Sequence, residues 1–266
     1  MLRDVLLKTL RDGRRSYVAW CVSVVLLVAM YVAIWPSLRG QPSMASFLDR
    51  MPEALRNLFA MAGADLSTPV GYIQVELLSF MGPILVILYG VLAGSGAVAG
   101  EEERHTLDLL LATPVPRWRI VVDKAAAMIL GTAGLTVLLG LALVVEGRLV
   151  DLMLPVDRVA AAMLHLALLG VVFGALSLAV GAATGRSGLS RGVPAAVAVI
   201  AYLVNGLGGM VDWLRPVRSW SPFFQYAGHD PLGTGVSVTA VLVSVATILV
   251  LVGVAAWSFD RRDVRT

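Results

Sequence analysis

The chain has 266 residues, of which 58% are hydrophobic and 15% charged, and its mean hydropathy is +0.82. Soluble domains are roughly 45–50% apolar and about 25% charged, so no water-facing surface hides this much apolar side chain, and the solvent must be lipid. The net charge of +3 does not point to nucleic acid, because the arginines are scattered between apolar runs and act as topology signals.

The lone Cys21 permits no internal disulfide and no cysteine metal cluster. The length corresponds to one polytopic domain, 1–266. In chain order, Leu2, Leu6 and Leu10 recur four residues apart among Arg3, Lys8, Arg11, Arg14 and Arg15. That spacing predicts an amphipathic helix over 1–15 lying flat on an anionic cytoplasmic leaflet. It serves either as a plain anchor or with its polar face against a partner. The first run long enough to cross a bilayer is 17–35. It is too long for a signal-peptide core, and Trp35-Pro36-Ser37 is not a small-residue cleavage site, so the segment is expected to be retained.

A short helix is expected at 51–61. Further crossing runs lie near 75–99, 120–145, 159–183, 193–211 and 236–259. Backbone groups in lipid must be satisfied within the segment, which predicts helices. Continuous apolar runs without period-two alternation argue against a β-barrel. The fold class is therefore all-α: six transmembrane helices preceded by an amphipathic one. On the second run, Gly90, Gly94, Gly96 and Gly100 form a small-residue stripe suited to close packing, and Pro83 predicts a kink. Trp20, Trp35, Trp118, Trp213 and Trp257 fall near span ends, as interfacial anchors do. The segment 212–235 is rich in aromatics and prolines. It is expected to be broken or re-entrant in the outer headgroup region, with a plain surface loop as the alternative.

Basic residues orient the bundle. With both termini cytoplasmic, Arg39, Arg50, Arg56, Arg148, Arg158, Arg215 and Arg218 face outward, and the other 14 of the 21 lysines and arginines face the cytoplasm. An excess of Lys/Arg inside is the expected bias.

The stretch between the second and third runs is unlike a plain connection. Glu101, Glu102 and Glu103 stand where the macrodipole of a following helix favours carboxylates. Leu107, Leu110 and Leu111 then fall on one helical face, and Pro114 and Pro116 stop the helix before Arg117. A polar loop needs no leucine face, so 101–117 is expected to be a docking helix at the membrane surface.

Two polar residues within the runs are candidates for a transport path. Asn205, mid-span in the fifth run, makes either a helix contact or a path lining. His165, in the fourth, is either a packed, satisfied histidine or a path residue. Ser95, between Gly94 and Gly96, raises an intramembrane serine protease with His165 as base, although Ala93 breaks the Gly-x-Ser-Gly pattern and the pair needs hydrogen-bond reach.

The pattern Glu101, Thr106, Leu107, Leu110, Leu111, Pro114 and Arg117 resembles the loop between the second and third spans of ABC-2-type transporter permeases. The six-span plan and the outer stretch Ser221-Pro222-Phe223-Phe224-Gln225-Tyr226 followed by Asp230-Pro231-Leu232 are similar to that family as well. The family usually has glycine before the Thr-Leu pair, where this chain has His105.

The resemblance implies that 101–117, with Arg104, is a cytoplasmic coupling helix seated in a groove on an ATP-binding subunit. Two copies of that subunit would bind ATP and magnesium and hydrolyse the nucleotide. Two permease chains, identical or different, would enclose the path. This chain is then no enzyme. It also lacks a Walker A loop, because neither Lys8 nor Lys124 follows glycine. No catalytic, cofactor-binding or metal-ligating residue is expected in it. The implied role is export, and the mostly apolar path favours an amphiphilic substrate. The preference for arginine over lysine suggests a GC-rich bacterial genome, and the expected location is a bacterial inner (plasma) membrane. Ion- or proton-coupled secondary transport and a membrane scaffold are the other readings.

Overall fold

The computed structural model describes residues 5–38, 66–106 and 115–262. Six helices among them are long and apolar enough to cross a membrane: Val5–Leu38, Pro69–Ala97, Arg117–Arg148, Val156–Thr184, Ser187–Leu207 and Val238–Arg261. They are called the first to sixth spans below. No strand occurs among the described residues. The expected short helix at 51–61 lies outside them.

The fourth span is the axis of the bundle. In its most apolar window 78% of residues are buried, against 22% in the first, fifth and sixth spans. The second, third, fifth and sixth spans all pack on it, and the first packs mainly on the third. In lipid there is little hydrophobic drive between helices, so close packing of small residues holds them together. Here the contact is between backbones. A Cβ on Gly90 or Gly94 would overlap the carbonyl oxygen of Gly170 or Gly174 on the fourth span. Gly96 and Gly100 were expected in the same stripe but do not join it. A Cβ on Gly96 meets nothing, and one on Gly100 is closest to its own segment and Arg104. Residues four apart share a helix face, and 96 lies off the 90–94 face.

The first span departs from expectation. Residues 5–15 are not a separate helix lying flat but the first turns of one continuous helix, Val5–Leu38. No proline interrupts it there, and Gly13 alone does not break a helix. At about 1.5 Å per residue it exceeds the hydrocarbon thickness by several turns. The tryptophans divide too. Trp118, Trp213 and Trp257 are exposed, but Trp35 is buried against Tyr72, with ring centroids 5.3 Å apart.

The kink expected at Pro83 takes a specific form. The second span is α-helical over Pro69–Ile73, π-helical over Gln74–Met81, then α-helical again from Gly82, with Pro83 in the first turn of that last piece. The proline ring has no N–H to give, so it is accommodated where one register hands over to the other. Between the fifth and sixth spans lie three short helices, Arg215–Arg218, Pro222–Ala227 and Pro231–Thr234. The middle one enters the bundle. Phe223 packs on Phe173 and Tyr202, and the Tyr226 hydroxyl donates to the Leu78 carbonyl at 2.7 Å.

These contacts predict a sharp contrast between two glycines. Gly94→Ala should force the second and fourth spans apart and lower stability by about 1–3 kcal/mol. Gly96→Ala should be neutral or raise it by up to about 1 kcal/mol. Thermal unfolding of the two variants in the same detergent checks both.

Candidate coupling site

The site forms where the second span ends. Val98 leaves helical geometry (φ −120°, ψ −63°), and a five-residue helix, Ala99–Glu103, follows at a new angle to the chain. Val98 and Ala99 are fully buried, so this piece is anchored in the bundle. Its three carboxylates each go to a different place.

Glu101 Oε1 lies 2.7 Å from Nζ of Lys124 on the third span, and the lysine side chain is only 1% exposed. Glu102 pairs with Arg262, which directly follows the sixth span. Glu103 accepts from Ser187 at the start of the fifth span, through the backbone N–H at 2.8 Å and the hydroxyl at 2.5 Å. The first N–H groups of a helix have no partner within it, and the dipole there favours negative charge. Glu103 therefore caps the fifth span. The Ser187 hydrogen bonds, then the nearby charges of Arg191 and Arg104, hold its carboxyl below the usual carboxylate range.

The rest of the motif is partly in view. The five-residue helix ends at Glu103, and Arg104 and His105 turn the chain. His105 has φ +54°. That is left-handed backbone, which glycine adopts freely and histidine more readily than most side chains. Thr106 closes it, with its N–H and hydroxyl both directed to the Glu101 carbonyl at 2.9 and 3.2 Å. Leu107, Leu110, Leu111 and Pro114 lie outside the described residues. Arg117 starts the third span and donates to the Arg262 carbonyl at 2.9 Å, so it too joins the cluster.

The turn between the fourth and fifth spans completes the site. Gly185 has φ +68°, and a Cβ there would strike the Arg262 guanidinium and both Glu102 carboxylate oxygens. The position demands glycine on both counts. Just inside the bundle, a serine network ties the fifth span to the second and fourth. Ser177 donates to the carbonyls of Val91 and Ser190, Ser190 donates back to the Ser177 carbonyl, and Arg191 Nε donates to Ser95 Oγ at 3.2 Å.

Lys124, Ser187, Arg191 and Arg262 were not anticipated as site residues. Lys124 carried a signal: a lysine inside an apolar run needs a partner of opposite charge. Nothing in the local sequence marks Arg262 or Ser187.

The remaining candidates sit elsewhere. His165 is buried near the opposite face, with Nε2 accepting from the Ser237 N–H at 3.2 Å and Nδ1 directed at the Gln225 carbonyl at 3.1 Å. The amide partner fixes Nδ1 as the protonated nitrogen, so both nitrogens are used in holding the segment between the fifth and sixth spans. Ser95 contacts Ser187 at the terminal face. Along the fourth span, His165 lies about 20 Å from the level of Ser95 at 1.5 Å per residue. No Ser–His pair forms, and the protease reading is overturned. Asn205 is not mid-span but in the last turn of the fifth span, which starts earlier than expected, at Ser187, and ends at Leu207. It accepts from Arg218 Nε at 3.4 Å and borders a small outer cavity of about 70 Å³.

Two outcomes are expected at this cluster. Glu101→Ala leaves a buried lysine unpaired and should lower stability by about 3–5 kcal/mol, most of it recovered in the Glu101→Leu/Lys124→Leu double variant. Unfolding temperatures of the three proteins measure this. Glu103 supplies a pH dependence. Its carboxyl is depressed in the folded state, so its contribution is complete above the ordinary value of 4.5 and is lost as pH falls through the lower folded value. Stability profiles of the native chain and Glu103→Gln should differ at neutral pH and converge in acid.

The comparisons agree with this architecture. The model of a family described as ABC-2 family transporter protein matches residues 3–264, nearly the whole chain. No curated protein matches it. Six spans, an acidic turn after the second and a family match of this extent lead to one conclusion: the chain belongs to the ABC-2 transporter family and is a multi-pass membrane subunit of an ATP-binding-cassette transporter.

Proposed function

We propose that this chain lines the path of an exporter and takes its motion from a separate ATP-binding subunit through the segment 101–117. Two such subunits would hold ATP and magnesium, and a second permease chain would complete the path. The observation that carries the reading is the arrangement of three adjacent carboxylates on one five-residue helix. They bind the third span, the residue after the sixth and the first residue of the fifth. A push on the turn at 104–106 would reach three spans at once through these contacts.

The orientation follows from charge. Arg11, Arg14, Arg15, Arg104, Arg117, Arg119, Arg186 and Arg191 lie in the turns or within the first three turns of the helices on the terminal side, which supports placing that side in the cytoplasm of a bacterial inner membrane. An amphiphilic substrate is supported by an apolar groove of about 430 Å³ between the second and fifth spans, bordered by Phe80, Ile84, Leu88, Val199 and Tyr202.

The test is retention of the partner. Leu107, Leu110 and Leu111 changed together to Asp should insert into the membrane normally but no longer co-purify with the ATP-binding subunit. Undiminished co-purification and transport by that variant would remove the coupling role from this segment.

A further inference from the structure

A further space lies apart from the groove between the second and fifth spans. It is a cavity of about 520 Å³ bounded by the first, second and third spans. Pockets of this size hold molecules of a few hundred daltons. Its lining is graded along the bundle axis. At the terminal face lie Arg14, Glu101 and Lys124. Deeper are Trp20, Tyr89 and Leu130. From Lys124 to Leu130 the third span descends about 9 Å, at 1.5 Å per residue. The deep end is firmly built: the ring of Tyr89 packs edge-on against both Tyr17 and Trp20, at 6.0 and 5.7 Å between centroids.

The charge at the shallow end is unbalanced. Lys124 is answered by Glu101, but the charges of Lys8 and Arg104 also bear on Lys124, and Arg14 is exposed at the rim. Among the described residues that border the cavity, one carboxylate, Glu101, therefore faces two cations, Lys124 and Arg14. The walls are open on two sides where bulk would be expected. A Cβ on Gly13 or on Gly96 meets nothing within 4 Å, and both glycines border the cavity. Val18, Leu92 and Leu130, also at its border, are substantially exposed.

We propose that this cavity is a binding site for one anionic phospholipid of the leaflet on the terminal side. Its phosphate lies by Arg14, and a length of acyl chain lies against Trp20, Tyr89 and Leu130. A water-soluble anion lacks the hydrocarbon that the deep end needs, and a neutral lipid leaves the excess positive charge unanswered. The inference stands on the cavity alone and holds whichever way the coupling segment works.

The test uses the full chain in neutral phosphatidylcholine nanodiscs doped with a phospholipid carrying a photoreactive group midway along one chain. Phosphatidylglycerol and phosphatidylcholine heads are compared, and adducts are located by peptide mass spectrometry. Adducts should concentrate on Leu92 and Leu130, with the anionic probe favoured about five-fold, the gain expected from one arginine beside an anionic head. Gly96→Leu, at a glycine that borders the cavity and whose Cβ would meet nothing within 4 Å, should abolish these adducts and leave those on Val199 and Leu249, which are exposed away from the cavity. Arg14→Gln should retain the adducts and remove the head-group preference. Equal labelling by the two probes in the native chain, or labelling undiminished by Gly96→Leu, would overturn the proposal.

Discussion

Lys124 is a cation held inside a bundle of apolar helices, and the carboxylate of Glu101 is what allows it to stay there. An ammonium group at 1% exposure has no water to solvate it, so the short helix carrying Glu101 must remain against the third span. That one requirement fixes where the second span ends and which way the chain turns. Glu102 and Glu103 follow on successive residues, and with Glu101 placed they are directed at Arg262 and at the open N-terminus of the fifth span. The rest of the terminal face is arranged around this triad, down to Gly185, whose missing side chain leaves room for the Glu102–Arg262 pair.

The interior explains why such a cluster can transmit displacement. The second and fourth spans touch backbone to backbone at Gly90, Gly94, Gly170 and Gly174, a contact with no flexible side chain to absorb a shift. The serine network extends the same rigidity to the fifth span. At the opposite face, His165 and Tyr226 hold the broken outer segment to the fourth and second spans. The exposed apolar surfaces are concentrated on the first, fifth and sixth spans, which leaves those helices to meet lipid or a second chain.

The six spans were legible because length and apolarity are sufficient to specify a crossing helix, and each predicted run falls within or nearly within an observed helix. The errors have local causes. Hydropathy marks where a chain enters lipid but not where its helix begins, which is why 5–15 merges with the first span and Asn205 falls in a final turn. Counting Lys124 as a topology charge overlooked that it lies a full two turns inside its helix. The three glutamates are adjacent in sequence, but the helix N-terminus that receives one of their carboxylates belongs to a different helix. Glu103 caps the fifth span, 84 residues away in sequence, and no local pattern encodes that. The left-handed turn at His105 was visible only as a departure from the family's glycine.

The central claim is that the short glutamate helix and the start of the fifth span move as one body. It is tested most directly by pulsed electron–electron resonance between spin labels at Thr106 and Gly188 in a Cys21→Ser background, with the ATP-binding partner present. The distance should be the same with and without ATP, and should broaden and lengthen when Glu103→Gln is introduced. A distance that shifts on ATP binding in the otherwise native chain, or that ignores the loss of the Glu103 carboxylate, would contradict the account.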